Sequence, residues 1–523
     1  MNHLLLRLIA ALAVATAAAL SGGCATNPVT GKKELHLVSE QEEIAMGKEN
    51  YLSGQQTAGG EFILDPALTA YVRGVLANVT SVSERSKLPY EIVIANDSTV
   101  NAWAMPGGKM AINRGLLMEL NSEAELAAVL SHEVVHAAAR HGARQMETGL
   151  LIGIGATLIS AAAHDSRHPQ LADLAVGIGA GLVGLKYGRD HELEADAYGI
   201  KYMKRAGYDA NAAVKLQETF VRLAGDKKPG WVEGLLSSHP PSQERVDANR
   251  KNAQGQTPPG RTGEAEYRRA TANLRALKPA YDAYDAGVKA LRAKKTDEAI
   301  RQASTAIAAE PREALFYALR GKAREQTGDR RAAETDYDEA IRRNPNYFGP
   351  WLNRGKLRVK DGNRRDGEAD LERSMALLPT GEAALTLGKL AYADGRKDRA
   401  LKYLGPLVED GDGDDADLRE AAQMVARMDL PANPEKYIAV DARLVDGGFV
   451  ELSLANRSRV DVVNLRGVAV VRTGSITTLG DTPFQVYSLP AGGSTRIKLN
   501  LKPADFKAKA EHVAVRFSSA GVR

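Results

Sequence analysis

The stretch His132-Glu133-Val134-Val135-His136 holds the most concentrated chemistry in this sequence. On a helix, residues four apart project from neighbouring turns of one face, so the two imidazoles converge. That separation suits two ligands of one zinc ion, with Glu133 directed at the same cavity. The ordinary alternative is a helix that happens to carry His, Glu and His. It would put a charged triplet into an apolar setting, which costs a good deal unless a metal is held. Two histidines leave such a site short of a protein ligand, because catalytic zinc takes His, His and Glu plus water. Glu192, in the helical run Tyr187 to Gly199, meets that need. Asp196, one turn further on, is placed to accept a hydrogen bond from the free N–H of a ligand histidine. Taken alone, this second run also reads as an acidic surface helix.

The elements that must position these groups are legible around them. Ser122 with Glu125 forms the pattern of a capping box and predicts a helix start there. Leu126, Val129, Leu130 and Val134 give that helix a buried side. Upstream, Ser39-Glu40-Gln41-Glu42-Glu43 predicts a helix start, and Leu64 to Val79 a helix opened by Asp65 and Pro66. Tyr90 to Ala95 alternates as a strand. Val100 to Met110 reads as two short strands around Pro106-Gly107-Gly108. Its first strand, Asn101-Ala102-Trp103-Ala104, is either a purely structural hairpin arm or an edge on which an extended peptide adds by backbone pairing. Gly149 to Ala163 and Leu171 to Leu185 are apolar but short of the roughly 20 residues that cross a bilayer. They predict a buried or membrane-grazing hairpin over the active site, with the loop at 164–169 as a lid and His164 and His168 as solvated loop histidines, the alternative being that they reach the metal.

Composition sets the frame. With 523 residues, two to four domains are expected. A hydrophobic share of 44%, a charged share of 26% and a net charge of +4 describe ordinary globular protein with no particular affinity for nucleic acid. The single cysteine, Cys24, excludes a disulfide framework and a thiolate metal site within the chain. A basic start, the apolar run Leu8 to Leu20 and Ser21-Gly22-Gly23 before Cys24 read as a secretory signal. Small residues before a lone cysteine resemble the bacterial lipoprotein processing site, with Cys24 lipidated. Ala25 after it favours the outer membrane by the same resemblance. A plain secretory signal cut nearby is the alternative, and either places the protein outside the cytoplasm.

His132-Glu133-Val134-Val135-His136 followed by Glu192-Leu193-Glu194-Ala195-Asp196-Ala197-Tyr198-Gly199 resembles metallopeptidase family 48, of the periplasmic outer-membrane-assembly type. Asn101-Ala102-Trp103-Ala104 with Pro106-Gly107-Gly108, Ala206-Gly207-Tyr208-Asp209 and Ser238-His239-Pro240 are similar to further stretches of that family, in its order. The resemblance covers roughly residues 30–250. It implies a zincin-like, mostly α-helical domain with a small β-sheet, one zinc per chain, His132, His136 and Glu192 as ligands and Glu133 as catalytic base. The edge strand becomes the substrate-binding strand. His239 has three open readings: a second donor to the oxyanion, a zinc ligand that holds the enzyme off, or a structural loop histidine.

Beyond residue 278, Pro311, Pro345 and Pro379 recur at the 34-residue period of tetratricopeptide repeats. Gly287, Gly321 and Gly355, Tyr317 and Trp351, and Ala299 and Ala333 fall at matching repeat positions. Stacked helical pairs of this kind bind protein on a concave face. From Lys436, period-two runs such as Phe449 to Leu454 and Gly467 to Arg472 predict a small β-sandwich. The expected organisation is a signal peptide at 1–23, a zinc peptidase domain at 24–253 and a linker at 254–278. The repeats follow at 279–430 and a β domain at 434–523. The expected function is a lipid-tethered zinc endopeptidase of the bacterial envelope that degrades misfolded or misassembled envelope proteins. The rival is a noncatalytic periplasmic chaperone or scaffold working through its repeats, with a latched zinc site.

Overall fold

A computed structural model of the chain describes residues 24–149, 187–225, 238–409, 415–445, 449–473, 477–500 and 512–523. The signal segment, both apolar stretches, the loop at 164–169 and His164 and His168 lie outside the described residues. The chain divides into two compact units, residues 1–357 and 358–523.

In the first unit, β1 (Cys24–Thr26) and β2 (Lys33–Leu35) form an antiparallel ribbon. Helix α1 (Glu40–Thr57) starts at Ser39, whose side chain and that of Glu42 cap the helix reciprocally. Helix α2 (Pro66–Ser81) starts at Asp65 with proline in its first turn, as the pattern predicts. A three-stranded sheet follows, of β3 (Glu91–Ala95), β4 (Ala102–Met105) and β5 (Lys109–Asn113). Its order is β3-β5-β4, so β4 lies at one end, antiparallel to β5 with Trp103 opposite Ala111. Between β4 and β5 the chain turns at Pro106–Gly108, where Gly107 takes φ of 75°.

That turn packs on α1 with no space to spare. A Cβ on Gly47 would lie 2.1 Å from the Pro106 carbonyl oxygen. A backbone atom cannot step aside as a flexible side chain does, so Gly47→Ala is expected to cost about 1–3 kcal/mol. Thermal melting checks this: an unchanged midpoint would show that α1 does not brace the end of β4.

The short helix α3 (Arg114–Glu119) leads into α4 (Glu123–Ala138), the helix that carries the two histidines. All but one of the residues of α4 are buried, His132 being the exception, so it runs through the core rather than along its surface. Ser122 Oγ accepts from Glu125 N at 3.1 Å, which is the first half of the predicted capping box. The second half differs: Glu125 Oε2 accepts from Asn121 N at 2.7 Å instead of from the cap residue. The orphan donors of the first turn are met from afar, Ala124 N donating to Thr262 O at 2.9 Å. Residues 254–278, read in the sequence as a linker, are thus folded against the start of α4. Tyr267 there is fully buried and donates to Leu117 O at 2.6 Å.

Helices α5 (Arg189–Arg205), α6 (Asn211–Gly225) and α7 (Gln243–Ala253) enclose α4. Val129, Val134, Ile200, Phe220 and Val246 from these helices share the apolar core with Ile92 and Ile112 of the sheet.

The repeats begin with paired helices α8 (Lys278–Arg292) with α9 (Thr296–Ala309) and α10 (Ala314–Gln326) with α11 (Arg330–Arg343). Their 34-residue period has a local cause. Tyr317 Oη donates to Pro311 O at 3.2 Å, and Trp351 Nε1 donates to Pro345 O at 3.0 Å. Each repeat's first aromatic thus ties its helix to the proline that ends the previous pair. At Gly321 a Cβ would meet the Tyr337 ring at 2.8 Å, so glycine sets the close approach within the pair. Tyr281, Leu315 and Phe316 belong to the same apolar core as α4.

In the second unit, helical pairing continues with Gly381–Ala393 and Lys397–Glu409, followed by Ala416–Asp429. Six strands then form two three-stranded antiparallel sheets. One is ordered β10 (Ser494–Asn500), β7 (Phe449–Asn456), β6 (Ile438–Val445), and the other β11 (His512–Val522), β8 (Val462–Thr473), β9 (Thr477–Leu489). Val450, Leu452 and Leu454 of the first and Val462, Val471 and Phe484 of the second share one apolar cluster. Among the described residues, no helix is long and apolar enough to cross a membrane.

Candidate metal centre

Helical spacing on α4 brings His132 and His136 together as predicted, with their Nε2 atoms 3.0 Å apart. Helix α5 crosses beside them and presents Glu192 and Asp196 from one face. Glu192 Oε1 lies 3.4 Å from His136 Nε2, and its Oε2 lies 3.5 Å from His132 Nε2. His239, just before α7, completes the group: its Nδ1 stands 3.3 Å from His132 Nε2 and 2.9 Å from Glu192 Oε1. One donor atom from each of His132, His136, Glu192 and His239 falls within 4.8 Å of all the others. Three soft-to-borderline nitrogen donors and one carboxylate are the donor set of a tetrahedral zinc site. Glu133 is buried beside this cluster, and its Oε2 has no hydrogen-bond partner among the described residues. A buried carboxylate oxygen left open toward a cluster of donors fits a site built to hold a cation and a reacting water.

The outer contacts fix how each ring is turned. Asp196 Oδ1 lies 2.9 Å from His132 Nδ1, which therefore carries the proton and leaves Nε2 as a donor to metal. Burial opposes charge on His132, but Glu192 and Asp196 beside it raise its pKa, so a metal that binds at Nε2 must displace a proton there. Burial pushes His136 the other way, well below the usual histidine value. Asp196 stays a carboxylate because Arg245 outweighs the effect of burial on it. Arg245 grips Asp196 with two nitrogens, Nε at 2.7 Å from Oδ2 and Nη2 at 2.8 Å from Oδ1. Its remaining nitrogen, Nη1, lies 2.8 Å from Glu192 Oε2.

His136 is held by a second relay that the sequence did not announce. His141 Nδ1 lies 2.8 Å from His136 Nδ1, and His141 Nε2 lies 3.0 Å from Glu194 Oε1. With His136 Nε2 turned to the cluster, its Nδ1–H donates to His141, which in turn donates to Glu194. Tyr187 stacks on the other face of the His136 ring, with centroids 3.9 Å apart. His141 reaches this position because Arg140 ends α4 in a left-handed turn at φ of 61°. That conformation is unfavourable for arginine and is imposed by its buried partners Glu43 and Glu147 and the Val38 carbonyl. His141→Ala is expected to weaken zinc binding about 10- to 100-fold without touching a ligand. Competition with a chelator of known affinity measures this, and an unchanged zinc affinity would reduce the relay to packing.

The remaining predicted residues fall as follows. Ala102 of β4 lines the cleft that also contains His132 and Glu133. Asn101 Oδ1 accepts from Ser238 Oγ at 3.5 Å, next to His239, and Trp103 stands edge-on to Tyr51 at 6.1 Å. Ala104 is buried in β4. Cys24 opens β1. Arg245, His141 and Tyr187 belong to the site although no local spacing in the sequence marked them.

Residues 66–253 match the sequence profile described as Peptidase family M48. The mitochondrial metalloendopeptidase OMA1 of Schizosaccharomyces pombe is 31% identical over 220 residues, covering 42% of this chain and 63% of that protein. The beta-barrel assembly-enhancing protease of Yersinia pestis is 27% identical over 238 residues, covering 44% and 48% respectively. The chain thus spans about half to under two thirds of the length of these curated relatives. The solved structure of the first TPR of Spaghetti (RPAP3) bound to an HSP90 peptide matches 23% of this chain and 95% of that chain. Its identity is 26% and its TM-score 0.22.

Proposed function

Residues 66–253 form a peptidase family M48 domain joined to tetratricopeptide repeats, and from this premise we propose a zinc-dependent endopeptidase of the bacterial cell envelope. The observation that carries the reading is the convergence of His132, His136 and Glu192 beside a buried glutamate with one unpartnered oxygen. His132 Nε2, His136 Nε2 and Glu192 would hold the zinc, which supplies a Lewis acid and a bound water of lowered pKa. Glu133 Oε2 is the atom free to accept a proton from the attacking water and to pass it to the leaving amine. Asp196, locked by Arg245, and His141, locked by Glu194, keep the two imidazoles turned inward throughout. His239 stands among the ligands in this geometry, with Nε2 3.5 Å from Glu133 Oε1, so it acts as a gating ligand rather than an oxyanion donor. An extended substrate lies along Asn101, Ala102, Trp103 and Ala104 at the end of the sheet, pairing through the backbone.

The substrates are unfolded or misassembled envelope proteins, and the concave face of the repeats docks substrate or a protein partner. Cys24 is the lipid anchor to the outer membrane. The two C-terminal sheets are the halves of a β-sandwich. The test is cleavage of unfolded casein by the chain from residue 24 onward, with zinc quantified in the same sample. One zinc per chain, with cleavage lost to a chelator and restored by zinc, is the expected result. Failure to bind zinc, or cleavage that survives chelation, would sink the reading. Zinc without cleavage is the latched state, which His239→Ala is expected to relieve.

A further inference from the structure

The cleft at Glu133 has a side wall that the chemistry above does not use. Leu116, Val129, Leu216 and Phe220 make it apolar, yet Gln217 of α6 and Asn249 of α7 also line it. Both amides are buried, at 6% and 1% exposed. Gln217 Oε1 and Asn249 Oδ1 have no hydrogen-bond partner among the described residues. Of the charged groups of the same cleft, Arg245, Asp196, His132 and His239 bond to one another, and the open Oε2 of Glu133 is already assigned to the reacting water. Buried amides left open cost stability, and a wall made only to receive hydrocarbon would have been lined with leucine. Two open amide oxygens beside aliphatic and aromatic surface instead fit a ligand with an apolar body and a tip that donates a hydrogen bond.

We propose that this pocket is a specificity subsite that receives a tyrosine side chain next to the bond being cut. The inference rests on the peptidase reading above. The phenol ring would lie against Leu116, Val129, Leu216 and Phe220, which line the cleft. Its hydroxyl has one hydrogen to donate, which meets Gln217 Oε1 or Asn249 Oδ1, the two open oxygens of the wall. Phenylalanine fits the same walls but leaves the amides open. A site built to hydrogen-bond a hydroxyl rejects the analogue that lacks it far more strongly than an apolar pocket rejects a missing methylene. The sign of the preference is therefore diagnostic. A plain apolar pocket takes phenylalanine at least as well as tyrosine, and this pocket takes tyrosine better.

The experiment digests a peptide library with the zinc-loaded chain and reads the residues flanking each cut by mass spectrometry. At one flanking position tyrosine is expected to exceed phenylalanine by about 10- to 100-fold. In Gln217→Leu the ratio is expected to fall to about one or below, with the same direction in Asn249→Leu. Cleavage without a tyrosine preference, or with the same ratio in a folded variant, would overturn the inference. Absence of any cleavage by the zinc-loaded wild type and by His239→Ala alike counts against the peptidase reading instead. In that case, or if neither variant folds, binding of p-cresol against toluene to the wild-type chain, followed by NMR, decides. Tighter p-cresol binding supports the subsite, and equal or absent binding overturns it.

Discussion

Glu133→Gln is expected to keep one zinc per chain and to lower the turnover of unfolded casein by about 10²- to 10⁴-fold. The size of the effect follows from what the substitution removes. Glutamine has nearly the same shape and would occupy the same buried position, but its amide cannot accept and return a proton. The metal should stay, because His132, His136 and Glu192 and their supports Asp196, Arg245 and His141 are untouched. Turnover on a quenched fluorescent casein, measured beside metal analysis, separates the outcomes. Loss of zinc in the variant would mean that Glu133 holds the site together rather than moving protons. Turnover equal to wild type would remove it from the reaction. The same variant separates protease from scaffold. If the repeats alone did the work in the envelope, a strain carrying Glu133→Gln would behave as wild type.

Much of this site was legible from residue spacing, and the reason is physical. His132 with His136, and Glu192 with Asp196, each sit four apart, a separation that any helix turns into one face. The helix starts at Ser39, Asp65 and Ser122 were equally local, since a side-chain oxygen three residues from an open N–H needs nothing distant. What escaped was set by long-range contacts. Arg245 matters because α7 folds across α5, and no period in the sequence relates it to Asp196. His141 depends on a left-handed arginine, a conformation that local preference argues against and only the buried Glu43 and Glu147 enforce. In the other half of the capping box Glu125 bonds the Asn121 N–H, while the carbonyls at 262–263 dock on the N–H groups of Glu123 and Ala124. That docking also explains why residues 254–278 are no loose connection, although their glycines, prolines and charges read as one.

Arg245→Met is expected to be the most damaging substitution outside the ligands themselves, and its effect should depend on metal. Arg245 is almost fully buried and offers three nitrogens to two carboxylates that are themselves buried, Asp196 and Glu192. Methionine fills similar space but leaves both negative charges facing each other, with only His132 between them. Removing one partner of a buried ion pair costs about 3–5 kcal/mol, because the remaining charge is stranded rather than because the pair itself was worth that much. With zinc in place, the charge on Glu192 is met by the dication and Asp196 keeps His132 Nδ1–H, so part of the loss is recovered. The midpoint of thermal unfolding should therefore fall on the order of 10 °C in the presence of a chelator, and distinctly less with zinc. Equal losses in the two conditions would show that Arg245 acts only as a structural strut through the His239 and Pro240 carbonyls. A larger loss with zinc would mean that the guanidinium positions the ligands of the loaded site rather than compensating their charge in the empty one.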